Sequence, residues 1–506
     1  MKIALLPLDE RPVNTRYVQM IAEIAGASVH IPPDAILSHL RQPADTDALM
    51  MWLLTHNELD VLIVSVEMLT SGGLIASRTT DTPLVTLLAR LHTLEGLRQR
   101  HPNIKIYGFN VITRIPDADY AIEEPAYWAQ HGRNLHRYSQ LIHRATLDTA
   151  VTGELQALAQ SIPDVHRMDF TQRRLRNHQL NLAGLQALHS GLFDLLVISS
   201  DDTSEYGMGT QEKQWLGVWA ERFGFNDQQL LMYPGADEVG CVLMIRVLLA
   251  EQPAPTIYVH YAIDADRERI APYEDAPIQV TVERQIEAIG GVCVPTVDDA
   301  DLIVAVNPPS RIGQEYDPTH GHFADEHQRR APYIAQFSQH IAQWLAEGRA
   351  MVLCDVAYPN GSDPDLIAHL RQTIDLSQLS AYGAWNTAGN TIGTALAQGF
   401  ASLRIRDNAQ RTAQARFLLH RFVEDWGYQH RVRQAIRDQL EVETGIRDTT
   451  PDNEAQTIRT IHAQLSARLP DLGTLAQGWS IGEVRLPWHR TFEVDFDLVR
   501  DDETIK

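Results

Sequence analysis

Short apolar runs alternate with longer stretches of helical periodicity along the first half of the chain. The runs lie at residues 3–8, 27–31, 61–66, 104–109, 195–199 and 230–233, and helical spacing is clearest at 84–97, 138–162 and 180–188. Strands that are apolar throughout are typical of parallel sheets covered by helices on both faces. The pattern fits an open doubly wound sheet or a barrel. We interpret residues 1–252 as a β/α, TIM-like barrel, although its candidate strands are fewer than eight.

A second alternating region follows Pro253 and Pro255. Its candidate strands are 256–261, 302–306, 351–354 and 379–382, and its candidate helices are 279–289, 332–345 and 390–397. This pattern predicts a doubly wound, flavodoxin-like α/β domain over residues 253–400. From residue 401 to 506 we predict a helical C-terminal region, with helices at 410–426, 431–442 and 454–469 and a terminal extended segment at 485–496.

Charge narrows the classes of partner. The chain has 506 residues, with 43 Lys and Arg against 65 Asp and Glu, which gives a net charge of -22. Such a chain repels nucleic acid and anionic membrane surfaces, so we predict neither as a partner. Acidic residues also come too early for a signal peptide, and apolar runs are too short to span a membrane, so a cytoplasmic location is expected.

Other common chemistries lack their motifs. The three cysteines, Cys241, Cys293 and Cys354, lie in apolar runs without a C-x-x-C pair, and we expect all three to be buried. Gly-x-Gly-x-x-Gly, Walker and Gly-x-Ser-x-Gly patterns are missing, which disfavours dinucleotide, P-loop and serine-hydrolase chemistry. We therefore predict no cofactor and no metal.

Polar side chains follow successive apolar runs. They are Asp9, Arg11 and Asn14 after the first run, then Glu67, then Asn110 and Arg114, and then Asp201, Asp202 and Tyr206. Active sites of barrels and open α/β sheets lie at the carboxyl ends of their strands, so we predict that these residues bind substrate. Helix capping explains single positions equally well. Trp385 and Asn386, in a segment rich in Gly and Asn, are further candidates for stacking on a sugar and binding its hydroxyls.

Asp237 and Glu238 are adjacent carboxylates after the run at 230–233. Two such groups in one cavity cannot both ionise easily, and a pair of one acid and one carboxylate cleaves glycosidic bonds. The segment Gly235-Ala236-Asp237-Glu238 resembles the Gly-Gly-Asp-Glu strand end of β-N-acetylhexosaminidases. The resemblance implies that Asp237 orients the 2-acetamido group and that Glu238 is the general acid. Tyr233 and Ala236 depart from that pattern, and a helix-capping Asp followed by a first-turn Glu is the alternative.

Several segments together resemble a widespread bacterial family with a domain of unknown function. They are residues 6–14, 201–203, 235–238, 385–387 and 486–493. They run from one end of the chain to the other, so the resemblance covers nearly all of it. It implies little about chemistry.

These observations favour a glycoside hydrolase that cleaves 2-acetamido β-glycosides (GlcNAc or GalNAc) with help from the substrate's own acetamide. One alternative is a metal-assisted hydrolase or lyase on a small polar substrate, with Asp201, Asp202, Asp237 and Glu238 as ligands. The other is a carbohydrate-binding protein without enzyme activity. The expected partner is a small carbohydrate, and pairing into a homo-oligomer stays open.

Overall fold

Parallel strands form the centre of each of two units. The structure is a computed structural model that describes residues 1–56, 59–317 and 321–500. Unit 1 comprises Met1–Glu10, Ser28–Leu243 and Tyr273–Asp275, and unit 2 comprises Arg11–Ala27, Met244–Pro272 and Ala276–Lys506.

The sheet of unit 1 has six parallel strands in the order β2-β1-β3-β4-β5-β6. The strands are β1 (Ile3–Leu6), β2 (Val29–His30), β3 (Val61–Ser65), β4 (Lys105–Ile112), β5 (Leu195–Ser200) and β6 (Leu230–Pro234). Because β2 and β6 form its two edges, the sheet is open, and the described residues do not close the predicted TIM-like barrel. The strand order is that of doubly wound sheets whose direction of winding reverses between the first and third strands.

Most of the helices in the first half of the chain belong to unit 1, but the first belongs to unit 2 and the tenth is divided between the units. The first ten helices of the chain are α1 (Arg16–Ile24), α2 (Thr46–Thr55), α3 (Val66–Ser71), α4 (Leu74–Thr79), α5 (Leu84–Arg100), α6 (Trp128–Leu147), α7 (Thr152–Ser161), α8 (Asp164–His189), α9 (Met208–Phe223) and α10 (Val239–Leu249). In α5, Leu87, Leu91 and Leu94 are buried, and their spacing of four and three residues places them on one face of the helix. The helical pattern at 138–162 is divided between α6 and α7, since Asp148 ends α6 and accepts a hydrogen bond from the Ala150 amide.

Unit 2 repeats the same arrangement. Its parallel strands are β7 (Thr256–Tyr261), β8 (Val292–Cys293), β9 (Leu302–Asn307), β10 (Met351–Asp355) and β11 (Ala381–Gly383). From one edge to the other the strand order is β8-β7-β9-β10-β11. If β7 is counted as the first strand of this unit, the order is 2-1-3-4-5, as in the first five strands of unit 1. The pattern in the sequence missed β8, which has only two residues.

The C-terminal helices share one core with this second sheet. The remaining elements are α11 (Ile278–Ile289), α12 (His322–Ala346), α13 (Pro364–Thr373), α14 (Ala388–Ser402), α15 (Asn408–Arg421), a π-helical segment (Phe422–Tyr428), α16 (Arg433–Thr444), α17 (Glu454–Arg468) and the antiparallel pair β12 (Trp479–Arg485) and β13 (Asp495–Arg500). Phe337, Leu353, Phe422 and Leu465 belong to one buried cluster. The predicted extended segment at 485–496 is mainly the connection between β12 and β13.

The prediction that all three cysteines are buried is confirmed for two of them. Cys241 and Cys354 are buried as expected, but Cys293 is exposed, because it lies on the short edge strand β8. Within the described ranges, no helix combines the length and apolar character needed to cross a membrane.

Candidate functional site

A cavity of about 550 Å³ opens at the carboxyl ends of β4 and β5 in unit 1. Its walls include Arg114, Asp201, Asp202 and Tyr206, all of which the sequence predicted as binding residues. The Asp201 amide donates a hydrogen bond of 3.1 Å to the Ile112 carbonyl, which joins the two strand ends. The volume is within the range of sites that hold small molecules.

The two adjacent acids of this cavity differ in their partners. Arg114 donates a hydrogen bond of 3.1 Å from Nη1 to Oδ2 of Asp202. Burial, followed by the negative charge of Asp202, raises the pKa of Asp201 to about 6. Asp201 therefore retains a proton at mildly acidic pH, while its neighbour is held as an ion pair.

Arg114 also connects the cavity to a second pair of acids. Its Nη2 donates to Glu123 over 2.8 Å, and Arg78 donates to Glu124 over 2.6 Å. Burial raises the pKa of Glu124. Glu123, Glu124 and Arg78 were not predicted as site residues from the sequence. The unusually long loop between β4 and α6 that carries both glutamates was the available signal, because loops of this length often have a function.

Buried hydrogen bonds from Arg174 hold the loop after β4 in place. Arg174 donates 2.9 Å from Nη1 to the Thr113 hydroxyl and 3.0 Å from Nε to Glu212, and all three side chains are buried. A buried arginine with a carboxylate partner and a loop contact limits the motion of that loop. Arg114 directly follows Thr113, so it lines the cavity from a segment of the loop whose position is fixed.

Glu67 and Asn110 form a second polar pair, at the ends of β3 and β4. Glu67 Oε1 accepts hydrogen bonds from Asn110 Nδ2 (2.5 Å) and from the Val111 amide (2.8 Å). Glu67 is buried, and burial raises its pKa to about 7 despite these hydrogen bonds. The predicted residues at these two strand ends thus touch each other.

The end of β1 is also acidic. Asp9 is buried, and Glu10 accepts hydrogen bonds from the Ser38 hydroxyl (2.6 Å) and the Leu40 amide (2.7 Å). Burial and then the charge of Asp9 raise the pKa of Glu10.

Asp237 and Glu238 are buried after β6. Glu238 Oε2 accepts a hydrogen bond of 2.9 Å from the Ala236 amide. Gly235 has φ of +137°, and a Cβ there would lie 2.1 Å from Glu238 Oε1, so the turn requires glycine. The Gly235 amide donates 3.0 Å to the Ser200 carbonyl, which ties this turn to the end of β5. The walls of the 550 Å³ cavity include neither Asp237 nor Glu238.

A family model described as a protein of unknown function, DUF4127, matches residues 3–497. The chain belongs to the DUF4127 family. Comparison of this DUF4127 protein with curated proteins and with solved structures found no match. The resemblance to a family with a domain of unknown function is thereby confirmed over nearly the whole chain.

The other predicted residues of the DUF4127 protein belong to unit 2. The Arg11 guanidinium lies 4.3 Å from the ring centroid of Trp488 and 3.8 Å from Glu493. The Asn14 amide donates 2.9 Å to the Arg11 carbonyl. These contacts give Arg11 a packing function within its own unit.

Trp385 and Asn386 form the turn after β11. Trp385 is only 3% exposed and meets Phe492 edge-on at 6.2 Å, so its ring is enclosed by protein and offers no open face for stacking on a sugar. Asn386 has φ of +62°, a conformation that Asn tolerates better than most residues, and its carbonyl accepts 3.1 Å from the Asn360 amide.

Among the described residues of the DUF4127 protein, no three His, Cys, Asp or Glu side chains are grouped so as to hold a metal ion.

Proposed function

We propose that this DUF4127 protein is a glycoside hydrolase and that the 550 Å³ cavity of unit 1 binds its substrate. The observation that carries the proposal is the unequal pair of acids in that cavity. Asp201, with a pKa of about 6, can donate a proton, and Asp202 is an ion-paired carboxylate. Hydrolysis of a glycosidic bond uses one carboxylic acid and one carboxylate in this way.

In this proposal Asp201 protonates the leaving oxygen of the glycosidic bond. The Asp202 carboxylate either stabilises the positive charge that develops on the sugar ring or activates the water that attacks the anomeric carbon. Arg114 holds Asp202 in place through a hydrogen bond of 3.1 Å. Tyr206 and the backbone of the loops supply contacts to sugar hydroxyls. The net charge of -22 suits a neutral substrate better than a phosphorylated one.

A narrower proposal concerns the sugar. The resemblance of the turn after β6 to hexosaminidases supports a 2-acetamido glycoside, with Asp237 orienting the acetamide and Glu238 acting as the acid. The connection of this turn to the end of β5 through Gly235 and Ser200 supports its participation in the same edge. If Asp201 is the general acid, its substitution should nearly abolish the activity. If Glu238 is the general acid, substitution of Glu238 should do so instead.

The test is release of nitrophenol from a panel of nitrophenyl glycosides that includes N-acetyl-β-glucosaminide and N-acetyl-β-galactosaminide. We expect Asp201→Asn to lower kcat/KM by about 100-fold to 10,000-fold, the usual contribution of a general acid. Asp117→Asn is the matched control, because Asp117 lines the same cavity but is exposed at its rim. That variant should stay within about twofold of the wild type.

The pattern of losses distinguishes the assignments. Loss in Glu238→Gln with retention in Asp201→Asn would support the substrate-assisted mechanism at the β6 turn. Turnover of no glycoside in the panel contradicts the hydrolase proposal, and sugar binding without turnover would indicate a carbohydrate-binding protein instead. For the Asp201 assignment, kcat/KM should fall as the pH rises above about 6, since the acid must be protonated to react.

A further inference from the structure

Unpartnered polar atoms gather at the carboxyl edge of the sheet of unit 2. Ser310 follows β9, Tyr358 and Asn360 follow β10, and Trp385 follows β11. The hydroxyls of Ser310 and Tyr358, the indole nitrogen of Trp385 and the amide oxygen of Asn360 are buried and have no hydrogen-bond partner within the described part of the chain. Ser310, Tyr358 and Trp385 are 5%, 2% and 3% exposed. Such atoms are rare because each has given up its hydrogen bonds to water, so a group of them indicates a partner from outside the chain.

Hydrogen bonds between the three loops bring these atoms to one place. The Ser310 amide donates 2.9 Å to the Ala357 carbonyl, which joins the β9 and β10 loops. The Asn360 amide donates 3.1 Å to the Asn386 carbonyl, which joins the β10 loop to the turn that contains Trp385. The ends of neighbouring parallel strands are also the usual place for ligands in open α/β sheets.

The charges at this edge disfavour an anionic ligand. Arg330 lies 3.5 Å from Asp363, and Arg433 lies 3.4 Å from Glu315, so both cations already face carboxylates. Burial and then the charge of Asp363 raise the pKa of Tyr358, so its hydroxyl stays protonated and can donate. A phosphate or carboxylate bound near these arginines would therefore also meet the carboxylates of Asp363 and Glu315.

We propose that this edge binds a neutral, polyhydroxylated ligand such as a monosaccharide. The three donors meet the ring and hydroxyl oxygens of the ligand, and the amide oxygen of Asn360 accepts from one of its hydroxyls. The Asn360 amide nitrogen donates 2.7 Å to Glu315, which fixes the direction of that oxygen. Phe323, Ala357 and Tyr358 form a small buried apolar cluster beside this edge. This site lies within unit 2 and does not depend on the hydrolase proposal.

The experiment measures binding of glucose, galactose and N-acetylglucosamine to the full chain by saturation-transfer NMR and calorimetry. We expect at least one of these sugars to bind, and Tyr358→Phe and Ser310→Ala each to weaken its binding by about fivefold to tenfold, the value of one lost hydrogen bond. Tyr333→Phe is the matched control, since Tyr333 is 46% exposed on α12 and should leave the affinity unchanged. Asp201→Asn should also leave it unchanged, which separates this site from the cavity of unit 1.

A second readout distinguishes a ligand contact from a structural hydroxyl. Without sugar, Tyr358→Phe should unfold at the same temperature as the wild type or higher, because the variant no longer buries an unsatisfied hydroxyl. A clear drop in the unfolding temperature would show that the hydroxyl has a partner in the protein and would overturn the proposal. Binding of none of the three sugars, or equal affinity in both variants, would overturn it as well.

Discussion

The carboxyl edges of the two sheets carry similar residues in different surroundings. In unit 1, Asp201 and Asp202 line a cavity beside Arg114. In unit 2, Asp355 is fully buried at the end of β10, where it accepts hydrogen bonds from Asn307 Nδ2 (2.9 Å) and the Asp363 amide (2.6 Å). Both sheets have the same strand order over their first five strands.

Raised pKa values occur at both edges and have the same causes. Burial and a neighbouring aspartate raise the pKa of Asp201 to about 6 and that of Asp355 to about 7. Asp201 lines the cavity of about 550 Å³ in unit 1, whereas Asp355 is fully buried at the end of its strand. A raised pKa therefore identifies a catalytic group only together with access. Asp355 holds the loops of the second edge in position.

The largest expected effect tests the structural function of the second edge. Asp363→Ala removes the partner of the buried Arg330, and leaving a buried charge uncompensated costs about 3–5 kcal/mol in the free energy of unfolding. Asp365→Ala is the matched control two residues further along, because its contact with His327 is more exposed and contributes about 1 kcal/mol or less. Urea denaturation of both variants measures the difference. Similar losses would show that the buried network adds little.

An intermediate effect concerns the pH dependence of stability at the first edge. The pKa of Glu67 is about 7 in the folded protein and near 4.3 when unfolded, so between these values the folded state binds more protons. The stability of the wild type relative to Glu67→Gln should then fall as the pH rises from 5 to 8, by at most about 1.4 kcal/mol per pH unit.

Denaturation of the two proteins across this pH range checks the sign. Burial lowers the pKa of His260, His420 and His430 to about 4, which has the opposite effect on stability in both proteins. Because the histidines are present in both proteins, their contribution cancels in the difference in stability between the wild type and Glu67→Gln. A difference that stays constant with pH would mean that Glu67 titrates normally.

The smallest expected change is a shift in the pKa of Asp201, which tests the charge arrangement in the cavity. Arg114 lowers the pKa of Asp201 and Asp202 raises it. Arg114→Gln should therefore move the titration of Asp201 to higher pH, and Asp202→Asn should move it to lower pH. Carboxyl-carbon NMR of the two variants measures these shifts without requiring activity. Shifts in the same direction would contradict the proposed charge arrangement.

Much of the secondary structure was predictable from the sequence. β3, β5, β7, β9 and β10 lie within one residue of their predicted bounds. For all of these except β7, the reason is that strands covered on both faces are buried and mostly apolar. The short helices α3 and α4 and the two-residue β8 were not predicted, since six residues or fewer contain too little periodicity.

The candidate site was predictable only in part. Arg114, Asp201 and Asp202 were expected at strand ends and do share a cavity. Glu123 and Glu124 reach the same cluster from a loop without a pattern, and the burial of Trp385 depends on Phe492, more than a hundred residues away. Contacts of that range leave no mark in a local sequence window.

The order of apolar and polar residues along the chain was enough to locate most of the parallel strands and the polar side chains that follow them, since both are short-range properties. The fold was needed to see that the first sheet stays open, which acids share a cavity, and which of them keep a proton. Those properties follow from strand order and burial, and burial is set by residues from many distant parts of the chain.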